Sequence, residues 1–339
     1  MTDPSPTSYP WLQPQLERVG ELLRQGRMPH ALLVTGRPGL GKSGFAAHLA
    51  ALLICEDRGN GHAACGQCSA CKLQAAGNHP DYSYMTYAVD EKTGKVSTVI
   101  KIDQVRALSE KLFLSHHGAG FKVAILQPAD ALNINAANSL LKTLEEPADN
   151  TVLILVSSQP GRLPPTIRSR CQQVRIGAPE ADAALAWLAG QYAGPRPEVY
   201  LRLADGAPLR ALALAQEDAL QERRARFDTL VGLCNGSQDP VAVAQAWAKD
   251  EDLKGLGWMR EWLMDLLKIR LTGQLDGIHG IDLADRLQRL ASKLDSRVMF
   301  RQLDVVNRNL RMADSSLNRQ LMMEDVLLAW ADRRSQPLQ

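Results

Sequence analysis

The chain has 339 residues, 45% of them hydrophobic and 22% charged, with a formal net charge of +2. Domains cluster at roughly 100–150 residues, so two or three are expected. So small a net charge gives no argument for nucleic-acid or membrane binding through bulk electrostatics, and any such contact has to be local.

The first residues, MTDPSPTSYPW, have no basic region followed by an apolar core. No apolar run reaches the roughly 18–20 residues needed to span a bilayer, so a cytoplasmic chain without membrane attachment is expected. In that compartment its six cysteines are expected as thiols or metal ligands, not disulfides.

Leu16, Val19, Leu22 and Leu23 recur at helical spacing, and the apolar run Ala31 to Thr35 after Pro29-His30 reads as a strand. Gly36-Arg37-Pro38-Gly39-Leu40-Gly41-Lys42-Ser43 then satisfies the pattern GxxxxGK[ST]. In such a loop, backbone N–H groups cradle phosphates, the lysine neutralises them and the serine hydroxyl ligates magnesium. Phe45, Leu49, Leu52 and Leu53 mark the buried face of the following helix, which completes the strand, loop and helix context that the motif requires. ATP or ADP with Mg2+ is the ligand such a loop takes; an inherited loop that keeps its shape but binds nothing is the competing reading.

Cys55, Cys65, Cys68 and Cys71 crowd one insertion, 55–71, after that helix. Four thiolates at this spacing suit a tetrahedral zinc ion, structural because no coordination position is left open. Gly59, Gly61 and Gly66 lend the wrapping loop its flexibility. Four free thiols are the competing reading. His62 and His79 are substitute ligands, although His79 precedes Pro80 and reads as a turn residue.

Short strand-like runs follow at Tyr82–Tyr87, Lys122–Leu126, Val152–Val156 and Gln173–Ile176, separated by helical patterns such as Val105, Leu108 and Leu112. The alternation predicts a parallel α/β sheet wrapped by helices, built around the P-loop. A hydrolysing site needs carboxylates at the end of its second strand, to hold the metal and orient water. The run at 122–126 ends instead in Gln127-Pro128; Asp130, two residues on, reads as a helix cap. The helix Ala136–Glu146 buries Ala137, Leu140, Leu141 and Leu144 and stops at Pro147. Ser169-Arg170-Cys171 precedes the last strand, where a fixed guanidinium suits a phosphate held by a neighbouring subunit; an ordinary surface arginine is the competing reading, and the one the residues alone favour.

Beyond Ala178 the pattern is helical, with breaks at Gly194-Pro195, Gly206-Ala-Pro208 and Asn235-Gly236. The expected domains are an α/β P-loop module over 1–177, a small helical lid over 178–216 and a larger helical domain over 217–339. In the last, Leu283, Leu287, Leu290 and Leu294, then Leu303, Val306 and Leu310, form apolar stripes.

The stretch His30-Ala-Leu-Leu before the P-loop, the four-cysteine insert, Ala136-Ala-Asn-Ser-Leu-Leu-Lys-Thr-Leu-Glu-Glu-Pro147 and Ser169-Arg-Cys171 together resemble bacterial clamp-loader subunits of the AAA+ class. The motifs span about residues 9–176. The resemblance implies an AAA+ module, a helical lid and an all-α collar that joins a five-subunit ring with delta and tau or gamma subunits. It implies that Arg170 is a finger acting in trans on the neighbour's ATP, and that Ser157 and Ser158 occupy the sensor position. The lid arginine of ATP-binding relatives aligns with Leu209, one residue from Arg210. The implied role is that of a stator in loading the sliding clamp onto primed DNA. Two other readings compete: an active ATPase motor that uses Asp130, and a zinc-dependent module that reads nucleic acid. Against the latter, Gly59–Cys71 offers almost no positive charge for phosphate contact and no Phe, Tyr or Trp for stacking.

Overall fold

The computed structural model describes residues 9–58, 63–90, 92–114, 120–250, 253–312 and 318–332. The chain divides into two compact units, Met1–Glu180 and Ala181–Gln339.

The first unit runs α1 (Gln13–Arg24), β1 (Ala31–Thr35), α2 (Lys42–Ile54), α3 (Ser69–Ala75), β2 (Tyr82–Met85), α4 (Ile102–Phe113), β3 (Lys122–Leu126), α5 (Ile134–Glu145), β4 (Thr151–Ser157), α6 (Pro165–Arg170) and β5 (Gln172–Arg175). The strands form one sheet in the order β2-β3-β4-β1-β5, every neighbouring pair parallel. Every residue of β1, β3 and β4 is buried, as expected of parallel strands covered on both faces. Alternate side chains divide between those faces. Ala31, Leu33, Ala124, Leu126, Leu153 and Leu155 join Val105 and Leu108 of α4, Leu140 and Leu144 of α5 and Ile167 of α6 in one core.

The expected strands are all present, with small shifts at their ends. The run at Tyr82–Tyr87 pairs only as far as Met85, because Gln127 N–H closes the β3 side on Met85 O and β3 itself has ended. α5 begins at Ile134, two residues before Ala136, and the Asn133 side chain caps it by accepting from Ala136 N–H, worth about 1 kcal/mol. The helix stops where Glu146, ahead of Pro147, leaves the helical region at φ −124°, ψ 70°.

The second unit contains α7 (Ala181–Gln191), α8 (Pro197–Leu203), α9 (Pro208–Gln216), α10 (Ala219–Asn235), α11 (Pro240–Trp247), α12 (Lys254–Thr272), α13 (Ala284–Lys293), α14 (Ser296–Arg311) and α15 (Arg319–Ala331). No strand occurs among its described residues. Gly206 and Gly236 adopt positive φ at two of the breaks anticipated from composition. Its core gathers Phe227, Trp262, Leu266, Leu287, Met299, Val306, Met323 and Val326, with Trp262 edge-on to Phe227 at 5.2 Å. Among the described residues, no helix is long and apolar enough to cross a membrane.

Candidate functional site: a P-loop, a cysteine cluster and a rim arginine

The P-loop links β1 to α2, and its glycines meet specific constraints. At Gly36 a Cβ would lie 2.5 Å from Ile176 O, because β5 comes up against the loop through Ile176 N–H donating to Thr35 O at 2.7 Å. Gly41, at φ +84°, occupies the left-handed region as the residue before α2, where a side chain is strained. A Cβ there would also press at 3.3 Å on Leu12 and Tyr9. These two residues flank a turn laid across the loop: Trp11 stacks on Tyr9 at 5.2 Å and donates from Nε1 to Leu40 O at 2.9 Å. That cover is not visible in the motif itself.

Lys42 is buried, and its Nζ spans the loop to donate to Arg37 O at 2.7 Å. Burial draws its pKa down to about 8, against the pull of nearby Asp130 in the other direction. With the N–H groups at the start of α2, this is a fit for a phosphate.

The cation half is different. After β3, Gln127 directs its side chain at the P-loop serine, with Nε2 2.6 Å from Ser43 Oγ. Pro128 follows through a cis peptide bond. Asp130 is not a helix cap: it sits within a 3-10 turn, Ala129–Ala131, and its Oδ1 accepts from Ser158 N–H at 3.0 Å. It thereby ties the end of β3 to the end of β4, a role that its local sequence does not announce. The residues fit a phosphate, but the magnesium position lacks the strand-end carboxylate that normally supplies its negative charge.

Ser157, at the end of β4, is fully buried and its Oγ accepts from Gln159 N–H at 3.2 Å. Ser158 contributes its N–H to Asp130. Both are engaged locally within the first unit.

Arg170 is the last residue of α6. Its Nη2 pairs with Glu145 Oε1 at 2.6 Å, and its Nη1 donates to Thr166 O at 3.0 Å. With 37% of its side chain exposed, the guanidinium lies at the surface, oriented by these two contacts. Glu145, the last residue of α5, carries no signal of this role in the sequence; only its contact with α6 reveals it.

The four cysteines converge. The Sγ atoms of Cys55, Cys65, Cys68 and Cys71 all lie within 4.8 Å of one another, with Cys55 to Cys68 at 3.9 Å and Cys65 to Cys71 at 4.0 Å. A tetrahedral ion with Zn–S bonds of about 2.3 Å needs sulfurs about 3.8 Å apart. Backbone N–H groups already point at the sulfurs: Cys65 N to Cys55 Sγ at 3.3 Å, Cys68 N to Cys65 Sγ at 3.3 Å and Cys71 N to Cys68 Sγ at 3.4 Å. Such donors favour the thiolate. Cys68 is drawn down to about 6, chiefly by the Cys71 N–H, while burial pushes Cys71 up to about 12.

The cluster is fastened to the end of α2. Arg58 donates from Nε to Cys55 O and from Nη2 to Leu53 O, so carbonyls left open at the helix terminus gain partners. His79 is a turn residue, as its place before Pro80 suggests: its Nδ1 accepts from Asp81 N–H at 3.1 Å. His62, Gly59 and Gly61 lie outside the described residues.

A parallel sheet carrying a P-loop between its first strand and helix, with a helical second unit, defines a parallel α/β P-loop protein. Residues 12–180 match the family described as DNA polymerase III, delta subunit, and residues 217–332 match its C-terminal family. The DNA polymerase III subunit delta' of Pseudomonas aeruginosa is 35% identical over 328 residues, covering 95% of this chain and 97% of that one. The subunit of the same name in Escherichia coli is 35% identical, covering 94% of each chain. That of Bacillus subtilis is 28% identical, covering 94% of this chain and 95% of its own. The chain belongs to the delta-prime subunit family of DNA polymerase III.

Proposed function

We propose that this chain is the stator of a clamp loader: it joins delta and tau or gamma subunits in a five-subunit ring that loads the sliding clamp onto primed DNA. It does so without being the ring's motor. The observation that carries this reading is a division of labour within one unit. The chain's own P-loop faces Gln127 where a carboxylate is needed, whereas Arg170 offers a guanidinium at the surface. A finger supplied from outside stabilises charge on a transferring phosphoryl group, and it serves the subunit that holds the nucleotide. Arg170 therefore acts on the neighbour's ATP.

The P-loop residues Gly36 to Ser43 then hold ADP or ATP as a static ligand. Ser157 and Ser158 keep the sensor position, where Gln159 and Asp130 engage them. Asp130 is occupied by Ser158 N–H, which speaks against its use as a substitute catalytic acid. The four cysteines hold a structural zinc that closes the insert onto α2. Within the second unit, α7 to α9 form the lid and α10 to α15 the collar through which the ring assembles.

Reconstitution with delta and tau or gamma subunits, followed by ATPase and clamp-loading assays, tests the proposal. Sustained ATP turnover by this chain alone, abolished by Lys42→Ala, would overturn the stator reading.

A further inference from the structure

The two halves of the nucleotide site have parted company. In a hydrolysing P-loop the serine hydroxyl and a strand-end carboxylate share one magnesium ion, which also bridges the outer phosphates. Here the Ser43 hydroxyl is engaged instead by the Gln127 carboxamide, 2.6 Å away. A neutral carboxamide brings no charge to offset the cost of stripping water from a dication that dehydrates reluctantly. The next residue, Pro128, has no side-chain acceptor, and Asp130 accepts from Ser158 N–H. The phosphate half keeps its parts: Gly36 and Gly41 let the loop pack against Ile176 and against Tyr9 and Leu12, α2 presents its N-terminal N–H groups, and Lys42 lies across the loop on Arg37 O.

We infer that the P-loop is a magnesium-independent phosphate site, which takes a nucleoside diphosphate or triphosphate as the free anion and gains nothing from the metal complex. The inference rests on the proposed nucleotide-holding role of Gly36 to Ser43 and specifies the form of the ligand. Lys42, buried with its Nζ 2.7 Å from Arg37 O, then shares the neutralisation of the phosphates with the N-terminus of α2 and with no metal. Magnesium bound to the nucleotide withdraws negative charge that Lys42 and the helix terminus would otherwise meet, so the metal competes with the loop.

The test is equilibrium binding of ADP to the full chain by titration calorimetry, once in excess Mg2+ and once in EDTA. The expected Kd in EDTA equals or betters that in Mg2+, and Lys42→Ala weakens both by about tenfold or more, the loss of one charged contact. Gln127→Asp, or Gln127→Glu if the first variant unfolds, is expected to make binding depend on Mg2+ by about tenfold. Wild-type binding that is tenfold weaker in EDTA overturns the inference while leaving the nucleotide-holding role intact. Absence of binding in both conditions overturns the role and the inference together.

Discussion

Arg170 and Glu145 form a 2.6 Å ion pair between the ends of α6 and α5, with 37% and 49% of their side chains exposed. A pair so open to water contributes at most about 1 kcal/mol. That weakness suits the proposed finger: the guanidinium is held in one direction, yet exchanging a carboxylate for a phosphate would cost little. Glu145→Ala is therefore expected to shift the melting temperature by no more than about 2 °C. The reconstituted complex should keep its ATPase within about threefold, because the finger itself remains. Melting curves and steady-state ATPase check the two halves separately.

The cysteine cluster predicts metal content. Purified protein should carry one zinc per chain by elemental analysis. Cys68→Ser or Cys71→Ser should lose it and loosen the insert, since structural zinc contributes folding energy directly. Because Cys55 ends α2 and Arg58 caps that helix, the loss should also lower the melting temperature. An unchanged melt together with no zinc in the wild type would leave four thiols.

Much of this site is legible in the amino-acid sequence, and the reason is local. The P-loop and the cysteine run are defined by spacing within a few turns of chain, and parallel strands announce themselves as continuous apolar runs. What the sequence hides depends on which distant residues meet. Asp130 reads as a cap because Asp favours caps; its real partner, Ser158 N–H, lies 28 residues on. Glu145 reads as an ordinary helix-end acid until α6 brings Arg170 to it. Gln127 is legible as a missing charge, but not as a group that reaches the Ser43 hydroxyl 84 residues away.

Arg223 is equally silent in the sequence. Its side chain is fully buried on α10, 3.0 Å from the equally buried Asp282 and 3.7 Å from Glu261, and it stacks over Trp262 at 5.2 Å. Burial pushes its own pKa down and that of Glu261 up, each opposed by the other's charge. Removing Arg223 takes from buried Asp282 its 3.0 Å partner and leaves it only the longer 3.8 Å contact with Arg224. Arg223→Ala is expected to cost about 3–5 kcal/mol in chemical denaturation.

His279 couples this region to pH. It reaches Asp205 Oδ1 through Nε2 at 3.0 Å and Asp265 Oδ1 through Nδ1 at 3.4 Å. These carboxylates, Asp265 first, raise its pKa above the ordinary value, against the effect of burial. A raised folded-state pKa means the folded chain binds the proton more tightly than the unfolded chain. The resulting stability is complete below about pH 6.5 and disappears as pH rises through the higher folded value. Melting temperature should fall as pH rises above about 6.5, and His279→Gln should remove that component of the slope.

The stator role turns on Arg170 serving a phosphate that this chain does not hold. The most direct measurement is DNA-stimulated ATPase and clamp loading by the reconstituted complex carrying Arg170→Ala, with assembly checked by size-exclusion chromatography. Normal folding and assembly are expected, with hydrolysis at the neighbouring site reduced by about 10³-fold or more as it loses its finger. Full hydrolysis and full loading in an intact mutant complex would contradict that role and return Arg170 to a surface arginine paired with Glu145.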